Sequence, residues 1–130
     1  MELNEYQDRA MSTCMESCNN ISYMLLNLVA EVGEFSGKLA KAIRKGQVSI
    51  GGLSPDIKNR LTVPSFPPEV DFDILAFDAE LKKEAGDILW QLAGLCRVMG
   101  WSLDDIANGN LDKLASRQER GVIDGDGDNR

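Results

Sequence analysis

Two short words of the sequence set carboxylates in the same grammar: Glu31-Val32-Gly33-Glu34 and Glu84-Ala85-Gly86-Asp87. Both read acid, apolar, glycine, acid. Residues three apart share one face of a helix, with about 4.5 Å of rise between them, so each pair can offer its oxygens to a single cation. Each pair also borders an apolar stripe, Glu31 and Glu34 beside Val32 and Phe35, Glu84 and Asp87 beside Ala85 and Ile88. If the stripes pack together, four carboxylates face one another at the rim of a core, an arrangement that calls for cations or raised pKa values. A donor set of hard oxygens suits Mg²⁺ or Mn²⁺, with Ca²⁺ as a non-productive substitute. The plain alternative is a pair of exposed one-turn ion pairs, Glu34 with Lys38 and Lys83 with Asp87, worth about 0.3–0.5 kcal/mol each. That accounts for either word alone but gives no reason for the repeat. The glycines point the same way: an interior helical glycine costs about 1 kcal/mol relative to alanine. Close approach of a neighbouring helix is the expected compensation.

A third group is polar and basic. Asn110, Lys113 and Arg117 fall at three-and-four spacing, followed by Arg120 and by Asn129 and Arg130 at the end of the chain. Such a stripe can hold phosphate oxygens, or it can be a solvated helix end with cations set favourably against the dipole. The chain has no histidine, which removes Ser-His-Asp and Cys-His nucleophiles, histidine bases and His-ligated metal sites. A di-iron bundle is excluded for the same reason, since it needs Glu-x-x-His. The acids of DGDGDN (Asp124, Asp126, Asp128) do not make an EF-hand, because Asn129 stands where the turn glycine belongs and no twelfth-position glutamate follows. Cys14, Cys18 and Cys96 read as reduced packing residues.

The elements that must position these groups are helices. Apolar residues recur from Ser22, a candidate N-cap, through Leu25, Leu28, Val32, Phe35, Leu39 and Ile43 to a stop at Gly46. A second long helix runs from about Phe72 to Gly100, and Ser102 with Asp105 opens a third that should end before Gly121. An earlier, less regular helix is expected over about Asn4 to Cys18. Residues 46–70 hold all four prolines and the Gly51-Gly52 pair, and so read as loop with at most a short strand pair. At 130 residues, 43% hydrophobic and 27% charged, the chain is expected to be one domain over 1–130, an all-α bundle of about four helices with a non-helical tail over 121–130, read as a flexible flap. The formal charge of −7 argues against a partner held as a nucleic-acid polymer. With an acidic N-terminus and no long apolar run, the protein reads as soluble and cytosolic, without a membrane partner.

With its words LVAEVGEF, LKKEAGDILW, N-x-x-K-L over Asn110 to Leu114 and the tail GDGDNR, the chain resembles the MazG-like, all-α nucleoside triphosphate pyrophosphohydrolases, in particular short stand-alone members from phages and bacteria. The hallmark E-x-x-E and E-x-x-D of that family match Glu31, Glu34, Glu84 and Asp87. The resemblance implies hydrolysis of a (deoxy)nucleoside triphosphate to the monophosphate and pyrophosphate, in the host cytoplasm if the protein is phage-encoded. Two or more Mg²⁺ (or Mn²⁺) held by the four acids would lower the pKa of a water aimed at the α-phosphorus, and Glu34 would assist as base. Four carboxylates and a triphosphate bring together about eight negative charges, of which two divalent ions offset half. The remainder falls to Lys113, Arg117 and Arg120 or Arg130, with Asn110 and Lys113 on phosphate or sugar oxygens. Asn27 and Trp90 are candidates to border the base, although a tryptophan is more often a core residue. Assembly as a homodimer or homotetramer is expected. The alternatives are a hydrolase of another phosphoanhydride nucleotide, and a non-catalytic helical interaction module.

Overall fold

A computed structural model describes residues 1–50, 61–62 and 72–127. The fold is all-α, with four helices among the described residues: α1 (Leu3–Met11), α2 (Ile21–Arg44), α3 (Ile74–Val98) and α4 (Leu103–Glu119). One 3₁₀ turn, Glu16–Cys18, follows α1, and two short strands, β1 (Ser49–Ile50) and β2 (Leu61–Thr62), pair antiparallel with Ser49 opposite Thr62. The pair stays within the expectation of loop with at most a short strand pair over 46–70; the rest of that segment, residues 51–60 and 63–70, lies outside the described residues.

Helix ends follow local chemistry. The expectation of one helix from Asn4 to Cys18 is corrected: α1 stops at Met11. There the hydroxyls of Ser12 and Thr13 donate to the carbonyls of Arg9 and Ala10 at 2.6 and 2.7 Å and close the last turn in place of a continuing backbone ladder. The start of α2 is also corrected, since the capping side chain is Asn20, not Ser22: its Oδ1 accepts from the Tyr23 N–H at 2.9 Å. Asp73 caps α3, accepting from the N–H groups of Leu75 and Ala76, each at 3.0 Å. Ser102 caps α4 as expected, accepting from the Asp105 N–H at 3.1 Å. At the end of α3, Gly100 turns left-handed at φ 73° and the Trp101 N–H returns to the Cys96 carbonyl at 2.8 Å, which closes the helix.

Packing divides the chain into two compact units. The first comprises Met1–Leu25 and Trp90–Arg130. Its core gathers Ala93, Cys96 and Leu103, with Tyr6 and Met11 against them. Buried Gln7 uses both ends of its amide: Nε2 donates to the carbonyls of Ala93 and Trp101 at 3.2 and 3.0 Å, and Oε1 accepts from the Leu103 N–H at 3.2 Å. One α1 side chain thereby bonds backbone groups on both sides of the α3–α4 turn, among them the Leu103 N–H, a first-turn donor for which α4 itself offers no partner. Asn4 does the same for the Asp104 N–H at 3.1 Å, and Asp8 pairs with Arg97. The second unit, Leu26–Leu89, buries Ala42, Val48 and Leu81 and contains most of α2 and the first part of α3. Among the described residues no helix is long and apolar enough to cross a membrane.

Candidate metal centre

Within the second unit, α2 supplies Glu31 and α3 supplies Glu84 and Asp87. One oxygen from each of the three carboxylates lies within 4.8 Å of the others. The three differ in setting: Glu84 is only 8% exposed, Glu31 is half-buried and Asp87 is exposed. The donors are all hard carboxylate oxygens at a spacing one cation can bridge, so this set fits a divalent ion such as Mg²⁺ or Mn²⁺ and offers nothing to a soft metal.

Two neighbours tune the cluster. Asn27, one turn before Glu31, donates from Nδ2 to Glu31 Oε1 at 2.9 Å. Burial nevertheless pushes the Glu31 carboxyl above its ordinary range; the Asn27 bond opposes this, and the charges of Glu34, Asp87 and Glu84 add to the rise. Lys38, two turns beyond Glu31, reaches across to Glu84 and donates from Nζ to Oε1 at 2.6 Å. That hydrogen bond holds the Lys38 proton above the ordinary lysine range; desolvation opposes it, and the charges of Glu84, Glu80 and Glu34 add to it.

Glu34 is exposed and is not one of the three oxygens gathered, though its charge bears on Glu31. Lys38 turns to Glu84 instead of Glu34, and among the described residues Lys83 makes no ion pair with Asp87, so the simple one-turn pairs do not form. The expected role of the glycines is corrected as well. A Cβ added at Gly33 or Gly86 would meet nothing within 4 Å, whereas one at Gly94 would stand 2.3 Å from the Met24 Sδ. Gly94 is thus the α3 glycine that admits a neighbour, and it serves the core of the first unit.

The remaining candidates lie in the first unit. Trp90 is half-buried, and its indole Nε1 donates to the Ala10 carbonyl at 3.1 Å and to Thr13 Oγ1 at 3.0 Å, fastening α3 to the end of α1. On α4, Asn110, Lys113 and Arg120 are exposed, and Arg120 Nε donates to Ser116 Oγ at 3.3 Å. Arg117 is 5% exposed and donates from Nη2 to the Gly127 carbonyl at 3.4 Å, where turns over Gly121–Gly127 fold back on α4. Arg130 lies outside the described residues. Sequence reasoning missed Lys38 as a partner of Glu84; its position seven residues after Glu31, on the same α2 face, was the available signal.

A helical protein with a carboxylate cluster shared by two helices is thereby defined, and comparison with known proteins agrees. The chain matches the MazG nucleotide pyrophosphohydrolase domain over residues 19–122. It belongs to that family, whose members act on nucleotides as metal-dependent pyrophosphohydrolases. The Gene 37 protein of Mycobacterium phage L5 is 30% identical to it, with the whole of both chains covered. No solved structure matches significantly.

Proposed function

We propose that the protein hydrolyses (deoxy)nucleoside triphosphates to the monophosphate and pyrophosphate with the help of Mg²⁺ or Mn²⁺. The observation that carries this reading is the convergence of Glu31, Glu84 and Asp87 within 4.8 Å in a chain of this family that has no histidine. Those three acids would hold the ion, and exposed Glu34, one turn from Glu31, would complete the set or take a proton from the attacking water. A divalent ion in this place supplies charge to offset the phosphates and lowers the pKa of a coordinated water. The chain's own part is to hold the acids in place, with Asn27 orienting Glu31 and the α3 backbone spacing Glu84 from Asp87. Asn110, Lys113 and Arg120 would meet phosphate or sugar oxygens; Arg117 would act through its hold on the tail, and Arg130 would belong to the same anionic subsite. Asn27 and Trp90 would border the base. The match over residues 19–122 runs across both compact units, which supports one catalytic domain over 1–130, with 46–70 as loop and 121–130 as tail.

A cytoplasmic location and assembly as a homodimer or homotetramer complete the reading. The rival, a non-catalytic helical module, draws on one observation: the Lys38–Glu84 ion pair is what a purely structural acid would make. The deciding experiment is a panel of natural and modified nucleoside triphosphates with Mg²⁺ or Mn²⁺, read by product chromatography. Monophosphate and pyrophosphate in equal amounts support the reading; orthophosphate as the first product, or no product, sinks it. Thermal stabilisation by Mg²⁺ with a non-hydrolysable nucleotide separates enzyme from module.

A further inference from the structure

Of the three gathered carboxylates, the most buried one is already engaged. The Glu84 side chain is 10% exposed and accepts a 2.6 Å bond from the ammonium of Lys38, whose own side chain is 39% exposed. A carboxylate this far from water is costly without a cation beside it. Lys38 supplies that cation from α2, and nothing else among the described residues pairs with Glu84. The bond therefore performs, in the metal-free protein, the neutralisation that a divalent ion would perform in the loaded one. An ammonium on Oε1 and a doubly charged ion held by Glu31, Glu84 and Asp87 would repel each other.

We propose that Lys38 is a resident counter-ion of the metal centre, neutralising Glu84 until a divalent ion arrives and releasing it when the ion binds. The inference rests on the reading of Glu31, Glu84 and Asp87 as ion ligands. It deepens that reading by giving the site an internal competitor. The ammonium has acids to turn to, since Glu80 stands one turn before Glu84 on α3 and already bears on Lys38. Two consequences follow from the competition. The metal-free fold keeps a neutralised Glu84, and the free protein binds the ion more weakly than the three carboxylates alone would. A nucleotide that brings its own divalent ion then gains relative to the bare ion, which couples metal uptake to substrate.

The sign of the effect separates this role from mere support of Glu84. With Lys38→Met, calorimetric titration with MgCl₂ and MnCl₂ should show binding about three- to tenfold tighter than wild type, because the competing charge is gone. The same variant should melt at a lower temperature in chelator. If Lys38 only held Glu84 in place, the substitution would weaken ion binding; weaker or unchanged binding overturns the proposal. Should Lys38→Met fail to fold, the wild-type protein carries the test: acetylation of Lys38 by acetic anhydride, followed by mass spectrometry, should be faster with Mg²⁺ than in chelator. An equal or slower rate with Mg²⁺ overturns the proposal too. If the wild type takes up neither Mg²⁺ nor Mn²⁺, with or without nucleotide, the metal-site reading fails and the counter-ion role falls with it. A wild type that binds the ions beside a Lys38→Met that binds them no better removes the counter-ion alone.

Discussion

In the proposed metal centre a proton and a divalent ion would compete for the same oxygens on Glu31, whose surroundings raise its affinity for the proton. Burial raises its folded pKa above the ordinary value, so the folded state binds a proton more tightly than the unfolded chain does. By linkage, the stability this group contributes is fully present below its unfolded pKa, near about 4.3, and is lost as pH rises through the raised folded value. In chelator, Glu31→Gln should therefore gain stability relative to wild type as pH climbs from acid to neutral. With Mg²⁺ the order should reverse near neutrality, because the ion needs the ionised carboxylate; melting curves at several pH values, with and without Mg²⁺, read both signs. Asn27 acts on the same balance, since its amide favours the charged form. Asn27→Ala should weaken Mg²⁺ binding about tenfold, as loss of a ligand's hydrogen-bond partner commonly does. Glu84→Gln should abolish pyrophosphate release, a loss of at least about a hundredfold, while circular dichroism stays helical. A Glu84→Gln protein with normal Mg²⁺-dependent turnover would remove Glu84 from the site.

Helix contacts make separate predictions, because three glycines of the long helices sit in unlike surroundings. Met24 is fully buried and its tip occupies the space a Cβ on Gly94 would need, with the Met11 Sδ 3.4 Å from that Cβ position. A thioether on a surface can swing aside into water, but Met24 is fully buried and has to repack inside the core to clear the added methyl. Gly94→Ala should cost about 1–3 kcal/mol of stability. Gly33→Ala and Gly86→Ala meet nothing within 4 Å, and each should leave the fold unchanged or stabilise it by up to about 1 kcal/mol. Urea denaturation of the three variants in chelator tests the contrast, and a stable Gly94→Ala would refute the account of the α3 contact. Gln7→Ala should cost about 1–3 kcal/mol, since it strips the Leu103 N–H and the Trp101 carbonyl at the α3–α4 turn of their side-chain partner. How much of this was legible in the sequence depends on the range of the interaction. Ser102, Gly100 and the acid pairs announced themselves because caps and one-turn spacings are local. The stop at Met11 was hidden because Ser12 and Thr13 bear no apolar signature of a break. The Glu84 partner and the Gly94 contact were hidden because they depend on which faces of α1, α2 and α3 meet, and a single chain's periodicity does not carry that register.

For the molecule as a whole, charge and apolar surface oppose each other. A net charge of −7 resists self-association, yet α2 leaves large apolar side chains in water, with Leu26 72% and Val29 67% exposed. Leu25 and Val32, four residues before and three after Val29, are also exposed and extend the same helical stripe. Single exposed apolar residues are ordinary, but a contiguous stripe rimmed by polar residues marks a surface that is covered in use. A copy of the same chain can cover it by two-fold symmetry, setting stripe against stripe with each subunit's acids outside the contact. Such an interface should bury roughly 1,000 Å² or more if it is to persist at micromolar concentration. Sedimentation velocity of the wild type should therefore show a dimer or tetramer, more stable at higher salt as the negative charges are screened. Val29→Asp places a charge in the middle of the stripe, where a partner would bury it and a lone chain would leave it in water. The variant should sediment as a monomer and keep its helical spectrum, because Val29 contributes little to the packing of its own chain. A wild-type monomer across the salt range would show that the stripe serves some other partner, and a Val29→Asp protein that stays assembled would place the interface elsewhere on the molecule.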